Sequence, residues 1–451
     1  MTVFSRRWLA SGLVAAATLL AVTACTNTSG SGSEPSNTLR IAVWGVNEDI
    51  ASIKAAAGGF EGQHPDITLE FVTGDCGADY SVCKTLIAGN NMADVLVTGS
   101  WNFNEMVNDG VLADLTDRMA ADGVRAEDFT PVVVESDRAA KDGRFYGLPM
   151  GYNVQSLFYN KQMFADAGLA EPPADGNYTY DDLRTWARKL TLDANGNNAD
   201  SPQFDPENIA QWGYYNRIAI PSEPGYAPVL WAHGGGVLGG DRRDRCQLEE
   251  PGSAQALQLL QDMMWKDHSA VTPQMEQETP GYLRWIEGSV AMQQGSHEQV
   301  TIAAEQNPEL PYDMAALPKG PAGNATLIQV HSWAVYSGSP NQDNAWEFVK
   351  YMATEGAGNQ MGLIPAYRDV AQGPSFLQAP DEPAHLAQAQ LEPTSWPLAR
   401  TNVDPQGVMA TVTGQDGIEP ALTDIITNKK PAAEALAGVC GRIDAILAAA
   451  S

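Results

Sequence analysis

Aromatic residues beside polar ones, at the ends of predicted strands, are the positions of this chain best suited to bind a ligand. Trp44 ends the first predicted strand, and Trp101 and Asn102 directly follow the third. Aromatic rings pack against apolar C–H faces, whereas amide and carboxylate groups form hydrogen bonds with hydroxyls. These residue types together suit a small molecule that is rich in hydroxyl groups.

Motifs of catalysis are incomplete in this chain. His233-Gly234-Gly235-Gly236 is similar to an esterase oxyanion-hole segment, but the Gly-x-Ser-x-Gly elbow that this chemistry also needs does not occur. The phosphate-binding Gly-x-x-x-x-Gly-Lys loop does not occur either. A glycoside hydrolase needs only two suitably spaced carboxylates, and nothing marks such a pair among 55 acidic residues. We therefore expect no enzyme activity and no cofactor, and a secreted glycoside hydrolase stays as an alternative.

A calcium loop is one interpretation of Asp193-Ala194-Asn195-Gly196-Asn197 followed by Asp200, because oxygen-bearing side chains alternate around a turn. The EF-hand pattern fails, since Asn198 stands where its glycine belongs and no glutamate ends the loop. An asparagine-rich turn is the simpler interpretation, and no metal site is expected.

The cysteines indicate an oxidising compartment. After Cys25 the chain has four, namely Cys76, Cys83, Cys246 and Cys440, and an even number outside the cytoplasm suggests disulfides. Three pairings are possible. We favour a short local bridge, Cys76–Cys83, with Cys246–Cys440 joining distant segments. A zinc site is disfavoured because no Cys-x-x-Cys occurs.

The N-terminus has the pattern of an export signal, which would comprise residues 1–24. Arg6 and Arg7 precede a short apolar run, and small residues lead to Cys25. This arrangement resembles the lipobox of bacterial lipoproteins, whose processing leaves a lipid-modified cysteine at the new N-terminus. The paired arginines also fit twin-arginine export, so the export route stays open. Residues 25–37 would then be the lipidated cysteine and a flexible tether rich in Ser, Gly and Asn.

Charge excludes several partners. The 451 residues carry a formal net charge of −28, which argues against nucleic acid and against broad adhesion to anionic lipid. With 44% hydrophobic residues the chain is expected to fold rather than to stay disordered. We expect a monomer attached to the outer face of the bacterial cytoplasmic membrane through Cys25.

Strands and helices alternate from residue 39 onward, which predicts an α/β fold. The pattern predicts strands at 39–44, 67–72 and 94–97, and helices through Ile53 and Phe60 and over 80–88. Further helices are predicted at 106–115, 254–265 and 341–352. Thr179 and Asp182 form a predicted capping box before another helix. The apolar C-terminal segment 432–449 should form a helix that docks on the body.

Several segments in a fixed order resemble bacterial extracellular solute-binding proteins of the maltose- and oligosaccharide-binding group, which serve ABC importers. Each segment is weak alone, but their order and spacing are specific. They are Pro65-Asp66-Ile67, Gly110-Val111-Leu112-Ala113-Asp114-Leu115, Tyr146-Gly147-Leu148-Pro149, Leu157-Phe158-Tyr159-Asn160-Lys161, Glu287-Gly288-Ser289-Val290-Ala291-Met292, Ala345-Trp346-Glu347-Phe348 and Gly362-Leu363-Ile364-Pro365.

The resemblance implies a two-lobe periplasmic-binding-protein-like fold, in which each lobe is a mainly parallel sheet flanked by helices and the ligand lies between the lobes. The N-terminal lobe would comprise 38–150 and 319–338, and the C-terminal lobe 151–318 and 339–451. Hinge crossings would lie near Pro149-Met150-Gly151, Ala316-Leu317-Pro318 and Gly338-Ser339-Pro340.

The resemblance also implies which residues contact the ligand. Trp44 and Glu48 match cleft positions of the family, whereas Asn153 and His297 depart from it, replacing a carboxylate and a tryptophan. The full set of expected ligand contacts is Trp44, Glu48, Trp101, Asn102, Asn153, Tyr226, Trp231, Ser296, His297, Trp333, Tyr367 and Arg368.

The implied function is delivery of a neutral mono- to oligosaccharide to the transmembrane subunits of an ABC permease. Another small polar solute (a glycerol phosphodiester, a polyamine or a peptide) is the alternative within the same architecture. A dianion would need several cleft Arg or Lys, and a polycation would need converging carboxylates. Among the expected contacts Arg368 is the only basic residue and Glu48 is the only acidic one, which favours the neutral sugar.

Overall fold

The hydrophobic pattern predicts the early elements closely, and the computed structural model places them in one sheet with flanking helices. It describes residues 36–239, 243–358, 360–379, 382–402 and 407–450. The N-terminal signal, Cys25 and most of the tether lie outside these residues.

Fifteen strands are found in the described part of the chain, several of them only two residues long. They are β1 Thr38–Val43, β2 Thr68–Thr73, β3 Val95–Gly99, β4 Leu148–Val154, β5 Ser156–Asn160, β6 Leu192–Asp193, β7 Ile209–Tyr215, β8 Leu238–Gly239, β9 Arg245–Cys246, β10 Val290–Gly295, β11 Tyr312–Ala316, β12 Lys319–Gly320, β13 Gly323–Val335, β14 Ile364–Pro365 and β15 Leu398–Thr401.

Nineteen α-helices are found in the same residues. They are α1 Asn47–Gln63, α2 Tyr80–Ala88, α3 Phe103–Asn108, α4 Thr116–Asp122, α5 Pro131–Val134, α6 Lys161–Asp166, α7 Tyr180–Leu190, α8 Glu223–Ala232, α9 Pro251–Trp265, α10 Pro273–Glu278, α11 Gly281–Ile286, α12 Glu298–Gln306, α13 Gln342–Ala353, α14 Arg368–Ala371, α15 Pro374–Leu377, α16 Met409–Thr413, α17 Glu419–Ile426, α18 Ala432–Leu436 and α19 Val439–Ala450.

Two separate sheets organise the chain. The first has the order β14-β4-β13-β3-β1-β2, with β12 and β15 also paired to β13, and the second has the order β11-β5-β10-β7-β6. This is the α/β architecture that the sequence predicts. Both sheets are mixed: β1 pairs in parallel with β2 and β3, whereas β13 runs antiparallel to β3 and β4. The antiparallel pairs arise because β13 enters from the other sheet rather than through a helical crossover.

The chain crosses between the sheets at short links. Gln155 alone separates β4 of the first sheet from β5 of the second. The first crossing was expected near residues 149–151, but these lie inside β4 and pair with β13. Leu317 and Pro318, where another crossing is predicted, link β11 of the second sheet to β12 and β13 of the first.

The segment directly after residue 338 packs on the first sheet, whereas it was expected in the second lobe. Helix α13 lies against the first sheet, where Phe348 contacts Phe60 and Trp333 edge to face. Strand β14 also pairs with β4 of that sheet. The apolar face of α13 is buried there, so no crossing occurs near residues 338–340, although 339–451 was expected in the second lobe. The division into lobes stays a prediction.

A β-bulge in β4 interrupts its pairing with β13. The pairing passes from His331 with Gly151 to Ser332 with Pro149, so Met150 of β4 is the extra residue. Strand β13 itself pairs with β3 without a break from His331 to Val335. His331 and Trp333, two residues apart in this stretch, therefore lie on the same face of the sheet, with His331 opposite Gly99 at the carboxyl end of β3.

The C-terminal segment docks on the body as predicted, but as two helices. Gly438 has φ of 78° and separates α18 from α19, a backbone conformation that glycine adopts without strain. Leu436 and Ile443 are buried with residues of α9. Both predicted disulfides are present, and Cys246–Cys440 joins β9 to α19 across 194 residues. In the described part of the chain, no helix is long and apolar enough to span a bilayer.

Asp137 is a buried carboxyl whose ionisation should control stability. It is 1% exposed, its Oδ1 accepts a hydrogen bond from Ser332 Oγ at 2.6 Å, and its Oδ2 has no partner among the described residues. Burial raises the pKa of Asp137 to about 7.

We predict that Asp137→Asn stabilises the protein increasingly as pH rises from about 4 to about 7. The folded state keeps a proton that the unfolded state loses near pH 4, so wild-type stability declines across this range and then levels off. The gain should be on the order of a few kcal/mol at pH 8. Thermal unfolding of both proteins at pH 5 and pH 8 measures it, and parallel pH profiles would contradict this prediction.

Candidate functional site

Three aromatic rings form a cluster at the carboxyl ends of β1 and β3. The ring centroids of Trp44 and His331 are 5.2 Å apart with an interplanar angle of 30°. Trp101 meets both rings edge-on, at 5.9 Å from Trp44 and 5.5 Å from His331. Two of the three rings come from segments that sequence analysis assigned to the site, and β13 brings the third.

The two indoles are held by hydrogen bonds to the main chain. Trp44 Nε1 donates to the Val97 carbonyl at 3.0 Å, and Trp101 Nε1 donates to the Ala78 carbonyl at 3.1 Å. A Cβ on Gly99 would lie 2.3 Å from the Trp101 ring, so the ring packs directly on the glycine. Because both indole N–H groups are occupied, the rings can offer a ligand only their faces and edges.

His331 is a neutral, incompletely bonded side chain in this cluster. It is 7% exposed, and its Nδ1 has no hydrogen-bond partner among the described residues. Burial lowers the pKa of His331 to about 4. A neutral imidazole has one acceptor nitrogen and one donor nitrogen, so His331 can bond a hydroxyl or an amine.

A cavity of about 340 Å³ opens beside the rings, and we call it the tryptophan cavity. One side consists of Trp44, His331 and the first turn of α1. The other side consists of α11, which precedes strand β10 of the second sheet, and α12, which follows it. Its polar lining residues are Glu48, Asp49, Tyr282, Glu298, Thr301, Glu305, Gln306 and His331. The volume is within the range of small-molecule sites, about 300–1,000 Å³.

A second cavity, of about 300 Å³, continues from the first toward the second sheet. Both cavities are lined by Tyr282, Glu298 and Ile302. Arg217 lies in the second cavity, with its guanidinium 3.6 Å from the Glu298 carboxylate. Amide groups of β10, including Gln293 and Gln294, complete a polar lining.

A third cavity has a volume of about 620 Å³. Trp101 and Asn102 line it from the first sheet, and Tyr226 of α8 lines it from the second. Asn102 Nδ2 donates to the Gly77 carbonyl, and its Oδ1 has no partner among the described residues. The three cavities together form what we call the central cleft.

The tryptophan cavity is lined by acidic side chains from both of its sides. The pKa of Asp49 is raised to about 6, chiefly by burial and further by the carboxylates of Glu298, Glu48 and Glu305. A hydrogen bond from the Val46 N–H to Asp49 opposes the rise only in part. Four carboxylates therefore converge on one cavity.

Comparison with known families identifies the chain. Residues 44–359 match the model of the bacterial extracellular solute-binding protein family, which is more than half of the sequence. The chain belongs to this family. The family and its structural neighbours are binding proteins rather than enzymes.

Individual relatives of this solute-binding protein are distant. A binding protein of Brucella abortus (strain 2308) is 25% identical over 298 residues, which are 65% of this chain and 66% of that protein. A galactooligosaccharide-binding protein of Bacillus subtilis (strain 168) is 22% identical over 399 residues, 85% of this chain and 86% of that one.

The fold is shared with solved structures. An ABC substrate-binding protein of Listeria monocytogenes, determined in complex with cycloalternan, aligns with a TM-score of 0.77 at 18% identity. The alignment covers 91% of this chain and 99% of that one. At this identity the likeness establishes the architecture of the solute-binding protein and not its ligand.

Six of the twelve expected ligand contacts lie at the central cleft or next to it. Trp44 and Glu48 line the tryptophan cavity, and Trp101, Asn102 and Tyr226 line the third cavity. Asn153 is buried beside Glu298, to which its Nδ2 donates at 3.4 Å. The others lie elsewhere: Trp231, Ser296, His297, Trp333, Tyr367 and Arg368.

Three of the six expected contacts that lie away from the cleft are core residues. Trp333 is 0% exposed, donates to Gln360 Oε1 and packs edge to face on Phe348 of α13. His297 is equally buried, bonded to the Gly362 carbonyl and the Glu382 carboxylate. Trp231 is buried on the inner face of α8, with the Arg400 guanidinium 5.5 Å from its ring centroid. The side-chain types of these three residues suggested a ligand site, but in the structure the side chains are buried in the core and stabilise the fold.

The remaining three are outside the cleft or closed off. Ser296 is buried at the start of α12. Tyr367 packs edge to face on Phe129, and Arg368 donates to the Glu127 carbonyl. This places Tyr367 and Arg368 beside the segment before α5, on a different surface from the tryptophan cavity.

Sequence reasoning missed several residues of the cleft. Asp49 directly follows Glu48 in the first turn of the predicted helix, a typical position for a capping residue, and this position could have been read from the sequence. In the structure Asp49 accepts a hydrogen bond from the Val46 N–H at the start of α1. Glu298 and Glu305 are seven residues apart and therefore lie on the same face of α12. This acidic stripe could also have been found from the sequence. His331 had no such signal, because its position beside the indoles depends on the pairing of β13 with β3.

The turn at Asp193 binds its own backbone. Asp193 accepts hydrogen bonds from the N–H groups of Asn195, Asn197 and Asp205. The side chain of Asn197 lowers the pKa of Asp193 to about 2, with the backbone bonds adding to the effect. Within the described residues no group of three His, Cys, Asp or Glu is placed to hold a metal ion.

We predict that Gly99→Ala displaces the Trp101 ring and destabilises the solute-binding protein. The added Cβ would lie 2.3 Å from ring atoms, so the indole must leave its hydrogen bond with Ala78. Near-ultraviolet circular dichroism should change and the melting temperature should fall. The control is Gly58→Ala on the exposed side of α1, where nothing lies within 4 Å of a new Cβ. That variant should gain roughly 0.5–1 kcal/mol, and an unchanged spectrum for Gly99→Ala would refute the packing argument.

Proposed function

We propose that this protein is the sugar-binding lipoprotein of an ABC importer, and that it captures a mono- to oligosaccharide in the central cleft. The observation that carries the proposal is the pair of indoles, Trp44 and Trp101, whose N–H groups are used internally while the rings line cavities with polar walls. Ring faces bind the apolar faces of sugars, and the surrounding carboxylates, amides and imidazole can bind the hydroxyls.

The relatives support a carbohydrate ligand. The Bacillus subtilis relative is a galactooligosaccharide-binding protein, and the Listeria monocytogenes structure contains cycloalternan. Three connected or neighbouring cavities offer room for more than one sugar ring. The ligand contacts that we propose are Trp44, Glu48, Trp101, Asn102, Asn153 and Tyr226, together with Tyr282, Glu298 and His331.

Closure around the ligand is the proposed mechanism. Val46 is 60% exposed and Ile220 is 42% exposed, and each lines one of the two joined cavities. Because Val46 belongs to the first-sheet side and Ile220 to the second-sheet side, approach of the two sides would remove apolar surface from water at the mouth of the cleft. A ligand that contacts both sides favours the closed state by its differential affinity. The closed form would then deliver the sugar to the permease subunits.

We predict saturable binding of an oligosaccharide without its hydrolysis. Isothermal titration calorimetry against a panel of gluco-, galacto- and chito-oligosaccharides measures binding, and chromatography of the recovered sugar tests for cleavage. Trp44→Ala and Trp101→Ala should each weaken binding about tenfold or more, because each removes a stacking surface. The matched control is Trp396→Ala, which removes an indole outside the three cavities of the cleft. Release of monosaccharides would instead indicate a glycoside hydrolase.

We also predict that Cys25 anchors the protein. Cys25→Ser should prevent lipid modification, so the protein should move from the membrane fraction to the medium or the aqueous phase of a detergent partition. Two or more acyl chains hold a protein durably at a membrane, whereas a protein without an acyl chain lacks this anchor. The released variant should bind the same sugar with unchanged affinity, because Cys25 precedes the tether. Retention of Cys25→Ser in the membrane fraction would count against the lipid anchor.

A further inference from the structure

The tryptophan cavity has an excess of negative charge that a neutral ligand would leave uncompensated. Glu48 and Asp49 line it from α1, and Glu298 and Glu305 line it from α12. No basic side chain of the described residues lines this cavity. Arg217 lies in the adjoining cavity, with its guanidinium 3.6 Å from the Glu298 carboxylate.

The four carboxylates are not used up by internal bonds. Within the described part of the chain, Glu48 and Glu305 form no ion pair, and Asp49 accepts only the capping bond from Val46. Glu298 accepts one long bond from Asn153 at 3.4 Å. When the cleft closes, these groups lose water, and an unpaired buried carboxylate is costly. A cation in the cavity would offset that cost.

A second, independent feature also indicates a ligand with N–H or O–H donors. His331 is more than nine-tenths buried, it lines the same cavity, and its Nδ1 has no partner among the described residues. Since burial keeps its imidazole neutral, one ring nitrogen is an acceptor. Trp44 and Tyr282 add aromatic rings to the walls, and aromatic faces attract ammonium groups.

We propose that the ligand unit in the tryptophan cavity carries a protonated primary amine, so that the preferred ligand is an amino sugar with a free ammonium group. The ammonium lies among Glu48, Asp49, Glu298 and Glu305, and the ring packs on Trp44. This inference rests on the proposed function, because it adds a charge to a sugar ligand. It revises the expectation of a neutral sugar, which followed from Glu48 being the only carboxylate among the expected contacts.

The test compares sugars that differ only at the amine. Calorimetry on the full-length protein uses glucosamine against glucose and N-acetylglucosamine, and the corresponding β-1,4-linked disaccharides, with spermidine as an amine without a sugar ring. The free amine should bind about tenfold or more tightly than its neutral counterparts, the effect of about one hydrogen bond between charged groups. The preference should shrink in high salt.

Charge variants assign the preference to this cavity. Glu48→Gln and Glu305→Gln keep the shape and remove one charge each, so each should reduce the ratio of the affinity for the amine-bearing sugar to the affinity for its neutral counterpart. Glu61→Gln is the matched control, because Glu61 is an exposed carboxylate of the same helix as Glu48 and does not line the cavity.

The possible outcomes separate this inference from the proposed function. Equal binding of neutral and amine-bearing sugars overturns the inference and leaves sugar binding intact. Binding of spermidine without any sugar overturns both. Failure of every amine-bearing probe, or a preference that survives Glu48→Gln and Glu305→Gln, also overturns the inference.

Discussion

The long strand β13 is the constraint on which both the fold and the cleft depend. It enters from the second sheet after β11, pairs with β4 and β3 in the middle of the first sheet, and also pairs with β12 and β15 at its start. A strand of 13 residues with partners on both sides has little freedom of register. Its unbroken pairing with β3 places His331 beside the indoles, opposite Gly99 at the carboxyl end of that strand, and places Trp333, two residues further along, in the core.

The indoles illustrate how a binding surface is kept from collapsing into the core. Each is oriented by a hydrogen bond from its N–H to a main-chain carbonyl, and Trp101 rests on a strand glycine. Fixed rings lose little conformational freedom when a ligand arrives, and this preorganisation favours binding. The neighbouring polar groups, His331 and Asn102, each keep one unpartnered atom among the described residues. Such atoms are costly unless a ligand or water bonds them.

Electrostatics adds a second constraint on what can enter. The whole chain is acidic, with 55 acidic against 27 basic residues, but the convergence of α1 and α12 concentrates carboxylates at one point. The carboxylates of Glu298, Glu48 and Glu305 add to the effect of burial in raising the pKa of Asp49. A cavity with this lining discriminates against anionic ligands, and its carboxylates can bind either hydroxyls or an ammonium group.

Local patterning determined much of this protein before any tertiary structure was known. Spaced apolar residues predicted α1, capping chemistry predicted the start of α7, and strand ends placed Trp44 and Trp101 at the cleft, since these features depend on neighbours in sequence. The same reasoning predicted ligand contacts at Trp333, His297 and Trp231, which the structure buries outside the three cavities, because side-chain type does not reveal the face on which a residue lies. Only the tertiary structure decided that α13 packs on the first sheet and that β13 brings His331 to the indoles. It also decided that acids from residues 48–49 and 298–305 meet, because each of these facts depends on contacts between segments far apart in the chain.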